Sequence, residues 1–143
     1  MTLHTLRTNR RRERGTSVVE MAIVLPLLLT LVFAIGEFGL MYTQWQTLTN
    51  AAREGARAGV VFRGVNCVAG TVQTEIQTAV STYMVNTGVA TASINTTSSG
   101  ACTGSGTPLV VTAQVPYAFA ALPGLAGLQS SITLSATSTM RNE

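Results

Sequence analysis

Hydrophobic and polar positions divide the chain into three regimes. From Met21 to Gly36 the residues MAIVLPLLLTLVFAIG carry no charge, and extension to Val18 and Met41 crosses only Glu20 and Glu37. About 20 apolar residues cover the roughly 30 Å hydrocarbon layer of a bilayer, and the run is far too long for a buried strand. Beyond it, Leu48, Ala51, Ala52, Gly55, Ala56, Gly59 and Phe62 recur at steps of three and four, which continues the helix past the apolar run. From Thr16 to about Phe62 such a helix is roughly 70 Å long at 1.5 Å per residue, provided that Pro26 and the Gly36/Gly39 pair only kink it. Phe38, Tyr42 and Trp45 share one face of it, as an aromatic belt at the outer membrane interface does. Ala51, Gly55 and Gly59 form a small-residue seam that admits a close neighbour, here expected to be the protein's own domain.

The third regime alternates short periodic segments with turn residues. Val72, Ile76, Ala79, Val80 and Tyr83 stand at helical spacing between Thr71 and Asn86; Thr71 is placed as an N-cap, Glu75 in the first turn, and Gly88 as the stop. Val89 to Thr97 reads as a weak strand, and Ser98 to Pro108 as a loop. Leu109 to Tyr117 alternates with Val111, Ala113, Val115 and Tyr117 on one face, and Ile132 to Met140 with Ile132, Leu134, Ala136 and Met140. The apolar connection Phe119–Leu128 between them is either a partner surface or a loop tucked on the sheet. These elements predict an α+β fold: a long N-terminal transmembrane helix continuing into a small domain with one further helix and an antiparallel sheet of about three strands.

Composition narrows the function. The chain has a mean hydropathy of +0.34 and 10% charged residues, against about 25% for a soluble domain. All nine basic residues are arginine, all six acidic residues are glutamate, and the single histidine is His4. No acid/base dyad, activated nucleophile, phosphate loop or metal cluster can be assembled from that set, so neither enzyme nor cofactor is expected. Arg7, Arg10, Arg11, Arg12 and Arg14 against Glu13 put the positive charge in the first fourteen residues of a chain whose net charge is +3. Without interleaved aromatics this is not a nucleic-acid patch; beside an apolar span it is a positive-inside signal that keeps the N-terminus cytoplasmic. Cys67 and Cys102 then lie on the oxidising side, and a bond between them closes about 36 residues, for which chain entropy gives about 3.8 kcal/mol. Arg53 and Arg57, at i and i+4, read as a solvated face.

A carboxylate at Glu20, just inside the apolar run, costs about 2.5–3.5 kcal/mol on insertion scales unless it is paired or near the surface. Taken alone, Ser17-Val-Val-Glu20 is a capping box at a helix start. It follows RRRERG, however, and RGTSVVEMAIVLP resembles the class III signal of type IV prepilins: a basic leader, a glycine, and a glutamate fifth in the mature chain before an apolar helix. Through about Gly59 the segment is similar to TadE-like proteins of tight-adherence (Tad, or Flp) pilus systems, carried by Arg14, Gly15, Val19, Glu20, Ala22 and Pro26, then Glu37 and Gly39, then Ala51, Ala52, Arg53, Ala56 and Arg57.

The resemblance implies a minor pilin or pseudopilin cut between Gly15 and Thr16 by a prepilin peptidase. It implies as partners other pilins or pseudopilins, the Tad assembly platform and the bacterial inner membrane, with no nucleic acid. Glu20 would pair with the new amino terminus of a neighbouring subunit. The expected divisions are a cleaved leader 1–15, a transmembrane helix 16–43 bearing Val18, Pro26, Gly36 and Glu37, and a periplasmic or extracellular domain 44–143. Glu37, about 25 Å from Glu20 on a straight helix, is expected in headgroup water. Two other readings stand beside this one. A permanent single-pass anchor would use Glu20 only as a cap, and a secreted domain would be cut after Ala34-Ile-Gly36.

Overall fold

The computed structural model describes residues 9–61, 66–88, 93–120 and 130–143, and for 9–14 the backbone only. Helix α1 runs unbroken from Asn9 to Gly59, a length of about 76 Å at the standard rise. Its expected end at Phe62 lies outside the described residues; among those described, Val60 N–H still bonds the Ala56 carbonyl at 3.1 Å. Pro26 is accommodated inside the helix, where Thr30 Oγ1 donates to the Pro26 carbonyl at 2.8 Å. Hydroxyls further along are satisfied in the same way, Thr43 by Gly39, Thr47 by Thr43 and Thr49 by Trp45, which lets polar residues continue a helix leaving an apolar layer.

Helix α2 spans Ala69–Asn86, starting two residues before the expected Thr71. Its N-cap is Val68, without a side-chain cap, and no acidic residue stands in its first turn; Thr71 and Glu75 are interior residues. Cys67 immediately precedes the cap and is disulfide-bonded to Cys102 with a Cα–Cα distance of 5.6 Å, so a covalent tether stands where a capping hydroxyl was expected. The helix ends at Thr87, and Gly88 at φ +78° bonds the Val85 carbonyl, a left-handed stop that glycine adopts without strain.

Three antiparallel strands follow in the order β1-β2-β3: β1 Asn95–Ser99, β2 Pro108–Ala118 and β3 Ser131–Arg141. The first is shorter and later than expected, and takes Ser98 and Ser99 out of the expected loop; positions 89–92 lie outside the described residues, as do 121–129 of the apolar connection. Strand β2 carries Leu109, Val111, Ala113, Val115 and Tyr117 inward. On β3, Leu134 and Ala136 are buried as expected, whereas Ile132 and Met140 only flank the core and Ser138 is buried between them. Gly100, at φ +85°, turns β1 towards β2 where any Cβ would run into the Pro108 carbonyl.

Helix α1 lies over β2 and β3, and α2 over β1, with Leu48, Ala51, Ala52 and Ala56 of α1 facing Val72, Ile76, Val80 and Met84 of α2 above the sheet. Met84, not Tyr83, completes the α2 stripe. The edge of β1 is covered by side chains: Gln73 and Gln77 donate to the Thr96 carbonyl, and Ser98 Oγ donates to Gln73. This blunts an edge that could otherwise pair with another chain.

Candidate functional site

The two ends of α1 behave differently. From Gly15 to Gly36 nearly every side chain is exposed, including Val18, Ile23, Leu27 and Leu31, and a Cβ added at Gly15, Gly36 or Gly39 would meet nothing within 4 Å. This is the one described helix long and apolar enough to cross a membrane, and none of its apolar window is covered by the rest of the protein. Thr16 and Glu20 lie on this exposed stretch. Because α1 already runs from Asn9, Ser17 is an interior helical residue rather than an N-cap. In a continuous helix the backbone N–H of residue 20 bonds the carbonyl four residues earlier and has no need of a serine hydroxyl.

At Glu37 the environment reverses. Its side chain is 4% exposed, and Oε1 accepts from the Tyr117 hydroxyl at 3.0 Å and from the Ala120 backbone N–H at 2.8 Å. The expectation of a carboxylate in headgroup water is therefore corrected. The end of β2 reaches the helix at this level and supplies the donors itself. Burial, the hydrogen bond from Tyr117 and the nearby negative charge all hold the Tyr117 phenol above its usual pKa. Phe119 packs edge-on against the Tyr117 ring at 5.4 Å.

The aromatic stripe is likewise only partly a belt. Phe38 stacks on Tyr42 at 6.5 Å and Tyr42 lies 5.9 Å from Trp45, but Trp45 Nε1 donates to the Ser135 carbonyl on β3. Further along the helix, Ala51, Gly55 and Gly59 face the domain. A Cβ on Gly55 would stand 2.6 Å from Val80 Cγ2, and one on Gly59 would stand 2.6 Å from Leu109 Cδ2 and 2.7 Å from Ile76 Cδ1. Arg57 Nε approaches Glu54 at 3.5 Å in an exposed i,i+3 pair, and Arg53 is exposed. Such surface pairs contribute about 0–1 kcal/mol.

The sequence reading placed Tyr117 on a buried face but missed its bond to Glu37, as it missed Trp45 with Ser135. A buried phenol needs a partner for its hydroxyl, and that need was the available signal for the first. Gly15, Thr16, Val18, Glu20 and Pro26 stay on the free helix, while Glu37, Ala51, Gly55, Gly59, Cys67 and Cys102 belong to the folded head.

A single long apolar helix thus turns into one wall of a small α+β head. Residues 15–57 match the family model described as TadE-like protein, the stretch on which the resemblance rests. No curated protein and no solved structure matches the chain.

Proposed function

We propose that this protein is a minor pilin or pseudopilin of a Tad (Flp) type IVb pilus system, cut between Gly15 and Thr16 by the prepilin peptidase and acting in pilus assembly or as a filament component. Its partners are other pilins or pseudopilins and the Tad assembly platform. Before assembly it stands in the inner membrane, with the arginine-rich end cytoplasmic and the head periplasmic. The observation that carries the reading is the TadE-like match across residues 15–57 on a helix whose apolar part is wholly uncovered by its own head. Such a surface needs lipid or neighbouring helices, and a pilin uses the two in turn. A cut after Gly36 is disfavoured because α1 is unbroken there and Glu37 is built into the head.

The test is the intact mass and N-terminal sequence of the protein from membranes of cells with and without the prepilin peptidase. A chain beginning at Thr16 only when the peptidase is present is the expected result. A chain beginning at Met1 in both strains would identify a permanent anchor, and one beginning at Glu37 a secreted domain.

A further inference from the structure

The head is electrically lopsided. No charged residue occurs between Glu75 and Arg141 in the sequence, and along α1 the first charge after Glu37 is Arg53, about 24 Å further up the axis. The described charges of the head gather at its far end. Arg141 is in register with Pro108 at the start of β2, the Glu143 N–H bonds the Val60 carbonyl at 3.2 Å, and Gly59 packs on Ile76, next to Glu75, and on Leu109. The near end carries one ionisable carboxylate, Glu37, buried under its own donors.

The near end also begins where the apolar helix runs out. Counted from Val18, Glu37 lies about 29 Å along the axis, the thickness of a hydrocarbon layer. Gly36 is exposed and Glu37 is docked on Ala120, so no length of polar helix separates the span from the head. If the head stood clear of the membrane, a stalk of solvated helix would be expected between them. Among the described residues, the rim at this level includes Phe38, 62% exposed, with Pro116, Ala118 and Ala120 exposed and Phe119 half-buried.

We propose that this uncharged rim is a lipid-contacting surface, which seats the head in the outer headgroup layer of the phospholipid bilayer and continues the contact made by the helix. The proposal rests on the single-pass reading above. Three features on the molecule fit a bilayer surface. The rim has no charge to desolvate, Phe38 offers an apolar ring and the neighbouring Tyr42 an amphipathic one that settles at headgroup level, and Glu37 takes hydrogen bonds from Tyr117 and Ala120 rather than depending on water that a seated head would displace. Entry into a filament then requires the head to leave this surface as well as the helix to leave lipid.

The full chain, with Cys67–Cys102 kept oxidised, is reconstituted in phosphatidylethanolamine/phosphatidylglycerol vesicles after labelling with an environment-sensitive fluorophore at Ala118→Cys, Ser105→Cys or Leu28→Cys. All three positions are exposed, so the label does not disturb the core. Lipids bearing a shallow nitroxide should quench the Ala118→Cys label several-fold more than the Ser105→Cys label at the far end, and iodide in the water should do the reverse. Equal behaviour of these two labels, with Leu28→Cys quenched by lipid, overturns the seated head while leaving the single-pass reading intact. Shielding of the Ala118→Cys label from both quenchers points to a protein contact and also overturns it. A Leu28→Cys label that lipids bearing a nitroxide deep in the acyl chain do not quench overturns both readings.

Discussion

Glu37 and Tyr117, 80 residues apart, meet where the apolar helix joins the head: the phenol donates to Glu37 Oε1 at 3.0 Å and also lies 3.3 Å from the Glu37 carbonyl oxygen. A hydrogen bond to a charged group contributes about 1.5–3 kcal/mol, and loss of one partner leaves the other buried and unsatisfied. Glu37→Ala is therefore expected to lower head stability by about 2 kcal/mol, since it strands the Ala120 N–H and leaves the Tyr117 hydroxyl only its longer bond to the backbone carbonyl of residue 37. Glu37→Gln, which keeps an acceptor at Oε1, should cost less. Urea melts of both variants and of Tyr117→Phe check this, and the Glu37→Ala/Tyr117→Phe pair should be clearly non-additive. Additive losses would show that the two residues do not act as a unit.

The same contact makes stability fall in alkali. The Tyr117 phenol is raised above its ordinary value of 10.0 by burial, with Glu37 adding to the effect. Above the unfolded value the native state holds a proton that the unfolded chain has released, so the contribution is complete below about pH 10 and declines as pH rises from there. Melting temperatures measured between about pH 9 and 11 should drop more steeply for the parent than for Tyr117→Phe. Parallel pH profiles would contradict the assignment.

Gly55 and Gly59 set the approach of α1 to the core. Gly59→Ala would push a methyl to 2.6 Å from Leu109 Cδ2 and 2.7 Å from Ile76 Cδ1, and overpacking of this kind costs about 1–3 kcal/mol. Gly36→Ala and Gly39→Ala meet nothing within 4 Å and remove a weak helix former, so they should be neutral or slightly stabilising. Thermal melts that rank these three substitutions alike would exclude packing as the reason for Gly59.

How far the fold was legible follows from which forces are local. The long helix, β2 and the central part of β3 announce themselves by period, because burial of one face imposes that period on the sequence; Leu109 to Tyr117 alternates without exception. Boundaries set by tertiary contacts were not visible. Helix α2 begins at Ala69, beside a cysteine tethered across the fold, rather than at the hydroxyl of Thr71. Strand β1, NTTSS, has almost no apolar signal and is held by β2 on one side and by Gln73 and Gln77 on the other. The Gly15, Thr16 and Glu20 pattern is a reading of the sequence alone, since the partners it calls for lie outside this chain. Glu37 was misjudged because its partners, Tyr117 and Ala120, are remote in sequence.

Reduction of Cys67–Cys102 should destabilise the head substantially. The bond encloses the whole of α2 and β1, with a sequence separation of 35, and closing such a loop in the unfolded chain is worth about 3.8 kcal/mol. A Cys67→Ser/Cys102→Ser chain should lose most of that amount in urea melts, with its transition unchanged by reductant. A loss below about 1 kcal/mol would mean that the helix–sheet packing alone holds the loop.

Glu20 separates the filament subunit from the plain anchor. Its side chain is exposed on the apolar part of α1, in a helix that already extends back to Asn9, so a capping role does not account for it in the full chain. Replacing a carboxylate near the end of a span by alanine removes at most the roughly 2.5–3.5 kcal/mol that a charge costs at the span centre, so membrane insertion of Glu20→Ala should be at least as efficient as in the parent. Assembly should respond in the opposite direction. On the proposed cleavage after Gly15, the amino terminus of Thr16 would be a positive charge with nowhere to go in an apolar helical bundle except against a carboxylate, and Glu20 of an adjoining subunit would supply one. Membrane fractions and sheared surface pili, probed for this protein and for piliation, read the two effects separately. The expected outcome is normal membrane content with assembly lost, and Glu20→Gln should fail as well because it keeps the shape but not the charge. Unchanged piliation in Glu20→Ala would remove Glu20 from the assembly contact and favour the permanent anchor.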